Sequence, residues 1–411
     1  MFGIRLSGKI QESPHVGAKT IAVMNALEGF SRAILSSLYP ILLYRTLGSA
    51  EGVSHIYFWV GLSSVILALV MPVIMRKISR RVIYLLGAIL MAIAPLFAVF
   101  AGDTGVIIAL VLGGFSAVTL MICLNAYTMD HISKDQLGFC ETKRLFYCAT
   151  AWSAGPFVGV LIADTWGNQT TFVISSVMAV VLIVAFLYSG LGAGKKISHT
   201  SRKAPNIIAN IGLFLRQPRL VSGWIFSLVR SIGWFIIFVY LPIFAIEAGW
   251  GSVVGGLLVS ICTGFLFVTP LILKWMNRYS VRKTIMAGFF GSSIFCSLAV
   301  IFWQMPIVAA LALVCCSFFL IVLDVCGNLP FLMAAKPSQR ADMVAVFSTY
   351  KDASVLIAPG LASLVLMVMP LSALFTVMAG MMGGGFWLGR YLHPRLGHAR
   401  KKVAHSIRQA G

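Results

Sequence analysis

Apolar residues in this chain run in blocks of about twenty, separated by short polar or basic clusters. Blocks of that length match a helix crossing the hydrocarbon of a bilayer, which needs ~20 residues at 1.5 Å rise each. The pattern predicts twelve membrane-spanning helices near 20–43, 53–74, 82–101, 105–128, 142–163, 169–192, 220–246, 252–273, 283–303, 306–333, 342–367 and 371–390. A membrane β-barrel would instead show short segments with alternating polarity. Lipid offers no partner to an unpaired backbone group, so the expected fold is an all-α polytopic membrane protein.

The longest polar break runs from Gly194 to Arg219. It begins rich in Gly, Lys, Ser and Arg, then holds an amphipathic run, Asn206 to Arg216, suited to the membrane surface. Six spans lie on each side. The expected organisation is a six-helix bundle over 1–193, a linker over 194–219, and a second bundle with a basic tail over 220–411. The two halves share landmarks. Tyr39-Pro40-Ile41 ends the first span as Leu241-Pro242-Ile243 ends the seventh, and Ala154-Gly155-Pro156 in the fifth matches Ile357-Ala358-Pro359 in the eleventh. A near-constant interval of about 200 residues separates the members of each pair, the mark of a duplicated six-helix unit.

Composition adds an exclusion. With 59% hydrophobic and 11% charged residues and a mean hydropathy of +0.93, the chain lacks the charge to clothe a soluble domain of its length. The net charge of +20 suggests nucleic acid until its placement is considered. With the N-terminus in the cytoplasm, Arg45 is the only Lys or Arg on the far side, and Arg32, Arg230 and Lys351 lie within spans. All the others fall on the cytoplasmic side. That is the positive-inside rule, so both termini are expected in the cytoplasm and the charge reports topology and anionic-lipid contact, not nucleic acid. The first 19 residues show no cleavable leader, and a bacterial inner membrane is the expected location. The eight Cys have no metal-ligand spacing and fall mostly within spans, so neither metal nor cofactor is expected. No Gly-x-x-x-x-Gly-Lys-Ser/Thr motif is present, which leaves an ion or solute gradient as the energy source.

The loops after the second and eighth spans carry a resemblance. In Asn277-Arg278-Tyr279-Ser280-Val281-Arg282-Lys283 the chain resembles the major facilitator superfamily loop G-x-x-x-D-R-x-G-x-R-R, with Asn277 at the acid and Ser280 at the second glycine. The first copy has Pro72 for the glycine and Arg76 for the acid, and keeps Arg80 and Arg81. The fifth span reads A-W-S-A-G-P-F-V-G over Ala151 to Gly159, which resembles the Gly-Pro motif common in exporters of that superfamily. The resemblance implies two six-helix bundles rocking about a midplane site, with spans 1, 4, 7 and 10 lining the cavity. It also implies that the loops latch the halves, and the loss of both acids removes the usual salt-bridged latch. The arginine motif of the fourth span, tied to proton relay in many exporters, is replaced by L-G-G-F-S-A over Leu112 to Ala117. Independently of family, Gly155 and Gly159 lie four apart on one helix face and admit a neighbouring helix closely, while Pro156 removes a backbone hydrogen bond.

Six charges sit well inside spans, where they are costly and usually face a cavity or one another. Glu28 and Arg32 lie four apart in the first span, Arg230 in the seventh, Asp324 in the tenth, and Lys351 with Asp352 in the eleventh. Arg32, Arg230 and Lys351 stand at similar depth near the midplane and suit a carboxylate or phosphate. The arginines of spans 1 and 7 also resemble, at those two positions, the pair that holds phosphate in the organophosphate/phosphate antiporters of the superfamily. Asn125, Tyr147 and Tyr350 complete the expected substrate-binding set, the two tyrosines holding matching places in the halves. Tyr39, Trp224, Trp234 and Tyr240 are further candidates to line the path, or ordinary packing residues. Glu28, Asp324 and Asp352 are the expected proton-coupling carboxylates. Glu28 stays ionised beside Arg32 until an anionic substrate takes that arginine, whereas Asp324 has no cation near it in sequence. In the competing reading the six charges pair off and only fix the fold.

The function expected from these features is secondary transport of a small organic anion or zwitterion, proton-coupled, by a monomer with no enzymatic activity. Two other readings stay open: a proton-coupled drug or metabolite exporter, and a non-transporting receptor or assembly factor whose partner docks on the tail at Arg400, Lys401 and Lys402.

Overall fold

The structure is a computed structural model that describes residues 17–132, 137–191, 207–334 and 340–392. Among these residues it is helical, without strands. The first half holds α1 (Ala18–Ser36), α2 (Leu38–Leu47), α3 (Ala50–Lys77), α4 (Arg80–Phe100), α5 (Gly102–His131), α6 (Leu137–Trp166) and α7 (Asn168–Ser189). After the short helix α8 (Ile207–Leu215) come α9 (Pro218–Glu247), α10 (Gly251–Gly264), a 3-10 turn (Phe265–Val268), α11 (Thr269–Tyr279) and α12 (Val281–Ile301). Then follow α13 (Pro306–Cys326), α14 (Leu329–Ala334), α15 (Arg340–Leu366) and α16 (Leu371–Gly389). The tail residues Arg400, Lys401 and Lys402 and the linker stretch Gly194 to Lys203 lie outside the described residues, as do the side chains of Pro72 and Arg76 in the first loop and of Asn277 in the second.

Every expected span is occupied by helix, and three are interrupted where proline requires it. The first span is two helices meeting at Ser37, because Pro40 has no N–H for the Ser36 carbonyl and its ring crowds that turn. The eighth passes through the 3-10 turn just before Pro270, and the tenth breaks at Gly327 and Asn328 before Pro330. Pro156, Pro242 and Pro359 lie inside continuous helices. Among the described residues, ten helical segments are long and apolar enough to cross a membrane. The two expected spans outside that set, α1–α2 and α15, are those with two charges at mid-helix: Glu28 with Arg32, and Lys351 with Asp352.

The packing repeats between the halves. In the first, α1 lies against α6 and α7, and α4 against α5 and α7; in the second, α9 lies against α15 and α16, and α12 against α13 and α16. The seam between halves also repeats, with α6 against α10 and α3 against α15. One hydrophobic core is common to both halves, joining Leu38, Tyr39, Leu43 and Val53 to Ile236, Ile237, Tyr240 and Leu241. It lies toward the face where α2 turns into α3. Polar contacts close that face as well: Ser54 and Tyr240 share a hydrogen bond of 2.5 Å, Tyr44 donates to Glu247 at 3.1 Å, and Ser363 meets His55 at 3.1 Å. Toward the opposite face, which carries the basic loops, the halves keep separate cores. Met24, Tyr84, Tyr127 and Phe186 belong to the first. Leu220, Phe331, Phe347 and Tyr350 belong to the second.

The small residues of the fifth span explain how tightly α1 and α6 pack. A Cβ on Gly155 would stand 2.6 Å from the Ala33 Cβ, and one on Gly159 would overlap the Ile34 carbonyl oxygen. Pro156 deprives the Trp152 carbonyl of its helical donor. The Thr263 hydroxyl of α10 approaches that oxygen to 2.8 Å, and Ser260 accepts from the Phe157 N–H at 2.9 Å. At the repeat-related place on the other seam, Gly61 of α3 packs directly on the Val355 carbonyl, which Pro359 deprives in the same way.

Candidate functional site

Arg32 and Glu28 occupy one face of α1, and their side chains meet at 3.2 Å. The pair is lopsided: the Glu28 side chain is 6% exposed and that of Arg32 is 44% exposed. The carboxylate is buried while the guanidinium reaches outward, 5.9 Å from the centre of the Trp152 ring. A guanidinium carries five N–H donors. Among the described residues Glu28 is the one acceptor hydrogen-bonded to Arg32, so most of those donors face open space.

That space is a cavity of about 310 Å³ between the first half and α9. Its wall includes Arg32, Tyr39, Tyr57, Trp152, Phe235 and Phe238, and among the described residues Arg32 is the only charged one in it. The rings form two pairs, Tyr57 edge-on to Phe235 at 5.7 Å and Trp152 edge-on to Phe238 at 5.3 Å. Ser31 and Ser175 also reach the wall, but each donates to the other's backbone carbonyl, at 3.0 and 2.7 Å, tying α1 to α7.

The second half treats its charges differently. Arg230, the repeat counterpart of Glu28, is buried and meets Asp324 at 3.1 Å. Its guanidinium also donates to the Tyr350 hydroxyl at 3.3 Å and lies 5.7 Å from that ring. Asp324 accepts from the Trp234 indole at 2.8 Å. Asp324, which has no cation near it in sequence, thus finds one across the α9–α13 contact. Trp234 occupies the repeat counterpart of Arg32, so an indole stands in one half where a cation stands in the other.

The three cations expected at one level therefore have three different surroundings. Arg32 faces the cavity, Arg230 is locked to Asp324 and Tyr350, and Lys351 is exposed on α15 beside the half-buried Asp352. Tyr147 packs edge-on to Phe146 at 6.3 Å, away from the cavity wall. Asn125 accepts from Arg144 at 3.2 Å, and Asn25 accepts from the same guanidinium at 3.4 Å. Arg144 escaped sequence reasoning because it sits at the edge of a span, where a basic residue reads as loop charge. Its counterpart contact is Ser227 donating to Asn328 at 3.2 Å.

The loop arginines brace their own halves. Arg80 pairs with Asp130 at the end of α5, and Arg282 donates to the Arg390 carbonyl at 2.7 Å, closing the end of α16. Arg278 lies over the Tyr279 ring at 5.8 Å, and Arg81 is half-buried at the start of α4. Asp130 is an acid in the sequence that the loop motif did not reveal, since it belongs to another helix end.

A sequence profile of the Major Facilitator Superfamily matches residues 21–359. Among solved structures, the nucleoside transporter NupG superposes with a TM-score of 0.71 at 14% identity, over 91% of this chain and 98% of that one. A POT family transporter in complex with 5-aminolevulinic acid gives 0.71 at 12% identity, over 90% and 95%. A D-xylose-proton symporter gives 0.69 at 13%, over 90% and 96%. Curated proteins hold no match to the sequence.

Proposed function

The chain belongs to the Major Facilitator Superfamily, and from that membership we propose that it is a proton-coupled secondary transporter of a small organic anion or zwitterion. Membership assigns transport and not catalysis. The observation that carries the solute class is Arg32: a guanidinium with unused donors and, among the described residues, the one charge in the wall of an aromatic cavity. Binding of an anion there places a third charge beside the Glu28–Arg32 pair. A proton on Glu28 restores neutrality, and a neutral cluster crosses the low-dielectric midplane at the least cost. A closed face with a joint core and a basic face where the cores are separate support alternating access. Twelve spans in two bundles divided at 194–219, cytoplasmic termini, an inner-membrane location and a monomeric state complete the proposal.

Thermal stabilisation of the purified protein by a panel of organic anions, phosphate esters and hydrophobic cations tests it, because a ligand bound to the native state raises the melting temperature. Stabilisation by an anion, lost in Arg32→Gln, supports the reading. Stabilisation by hydrophobic cations that survives Arg32→Gln replaces it with the exporter reading, which the Gly-Pro motif and the aromatic wall favour. No ligand at all, with a protein partner co-purifying, selects a receptor or assembly factor.

A further inference from the structure

We propose that the cavity selects a compact aromatic monocarboxylate, poor in hydroxyl groups, and disfavours both dianions and polyols. The inference rests on the reading of this cavity as the solute site.

Charge sets the first limit. Glu28 and Arg32 cancel, and among the described residues no second cation lines the wall. One carboxylate with one proton leaves the cluster neutral. A dicarboxylate or a phosphate dianion brings a charge with no counterpart, and an uncompensated charge against a mostly apolar wall at membrane depth is disfavoured.

Hydrogen-bonding capacity sets the second. The three serines of the wall spend their protons on backbone carbonyls: Ser31 and Ser175 on each other's, and Ser36 on Ala33 at 2.8 Å. What remains for a ligand is the Arg32 guanidinium and the hydroxyls of Tyr39 and Tyr57. Those groups satisfy a carboxylate and one polar substituent. A sugar-like solute would lose water from several hydroxyls and regain few partners, a penalty that makes polar-rich ligands weak in such sites.

Shape and surface set the third. A volume of about 310 Å³ lies at the small end of ligand cavities, which span roughly 300–1,000 Å³. Trp152 carries Arg32 over its ring and continues edge-on into Phe238, so a flat body anchored at Arg32 lies against aromatic faces.

The experiment is calorimetric titration of the purified full-length protein in detergent with phenylacetate, indole-3-acetate, phthalate, gluconate and benzyl alcohol, for wild type, Arg32→Gln and Phe238→Ala, each first shown to be folded by circular dichroism. Phenylacetate and indole-3-acetate are expected to bind at least about tenfold more tightly than phthalate or gluconate. Arg32→Gln should remove that binding, and Phe238→Ala should weaken the aromatic acids while leaving gluconate unchanged. If gluconate or phthalate binds as tightly as phenylacetate and still requires Arg32, the aromatic proposal fails and the anion reading stands. If benzyl alcohol binds as tightly as phenylacetate and Arg32→Gln changes neither, the anion reading fails with it. Absence of binding by every aromatic acid to folded wild type also overturns the proposal.

Discussion

The hydroxyl of Thr263 stands 2.8 Å from the carbonyl oxygen of Trp152, across the seam between the two halves. It is also 2.9 Å from the Val259 carbonyl of its own helix. That oxygen already has a helical donor, whereas Pro156 has removed the donor of Trp152, so the proton is worth more across the seam. The same indole lies under Arg32. A seam bond and a wall of the candidate site thus share one residue, and a change in how the halves meet is felt at the site.

Thr263→Val keeps the shape of the side chain and removes the proton. The Trp152 carbonyl is then buried without a donor, and a loss of about 1–2 kcal/mol is expected. Chemical denaturation in detergent measures it. A variant indistinguishable from wild type means that water or another group serves that oxygen.

Gly159→Ala is expected to prevent normal packing of α1 on α6, because the added Cβ overlaps the Ile34 carbonyl oxygen and backbone has no room to yield. Folded yield after detergent extraction should fall severalfold. Gly380→Ala, where nothing lies within 4 Å of the added atom, is the matched control and should be silent.

Glu28→Gln removes the competitor for Arg32 and the site of the coupled proton together. Anion binding should tighten, since the guanidinium no longer divides its charge. The pH dependence should flatten. In wild type, binding strengthens as pH falls, because protonation of Glu28 releases Arg32 to the ligand. In the variant no proton is needed. Titration of one anion at several pH values decides this, and an unaltered slope would exclude Glu28 as the proton site.

Asp324→Asn should behave quite differently. It strands Arg230, whose side chain is 8% exposed, without its counter-charge. Leaving a buried cation unpaired costs about 3 kcal/mol or more. A lowered melting temperature is the expected result, with recovery in the double variant Arg230→Met, Asp324→Leu. A singly substituted protein as stable as wild type would show the pair to be dispensable for folding.

The membrane-spanning pattern and the repeat were legible because each follows from local sequence: apolar length and recurring proline landmarks. The helix breaks before Pro40, Pro270 and Pro330 were not legible, because Pro156, Pro242 and Pro359 sit inside unbroken helices and proline alone does not tell the two cases apart. The pairing of Glu28 with Arg32 was legible from local sequence too, being four residues apart on one helix. The partner of Arg230 was not. Asp324 lies on another helix, and successive residues on a helix point about 100° apart, so depth along the axis says nothing of direction around it. Arg32 and Arg230 were expected at similar depth, yet the repeat sets Arg230 opposite Glu28, one turn from the place of Arg32, and it turns into the contact of α9 with α13 while Arg32 faces the cavity. Arg144 was hidden by its place at a span edge. Its link to Asn25 and Asn125 depends on how α1, α5 and α6 pack together.

The two seams carry a further consequence. Position 263 and its counterpart 61 have become threonine and glycine, and each suits only the carbonyl it faces. In an ancestral pair of identical six-helix units, a single residue had to serve both places at once. That interchangeability is gone: two copies of the first half would set Gly61 against Trp152 and leave its freed oxygen without a donor, while two copies of the second would press the Thr263 side chain onto the bare backbone at Val355. The halves now recognise each other and not themselves.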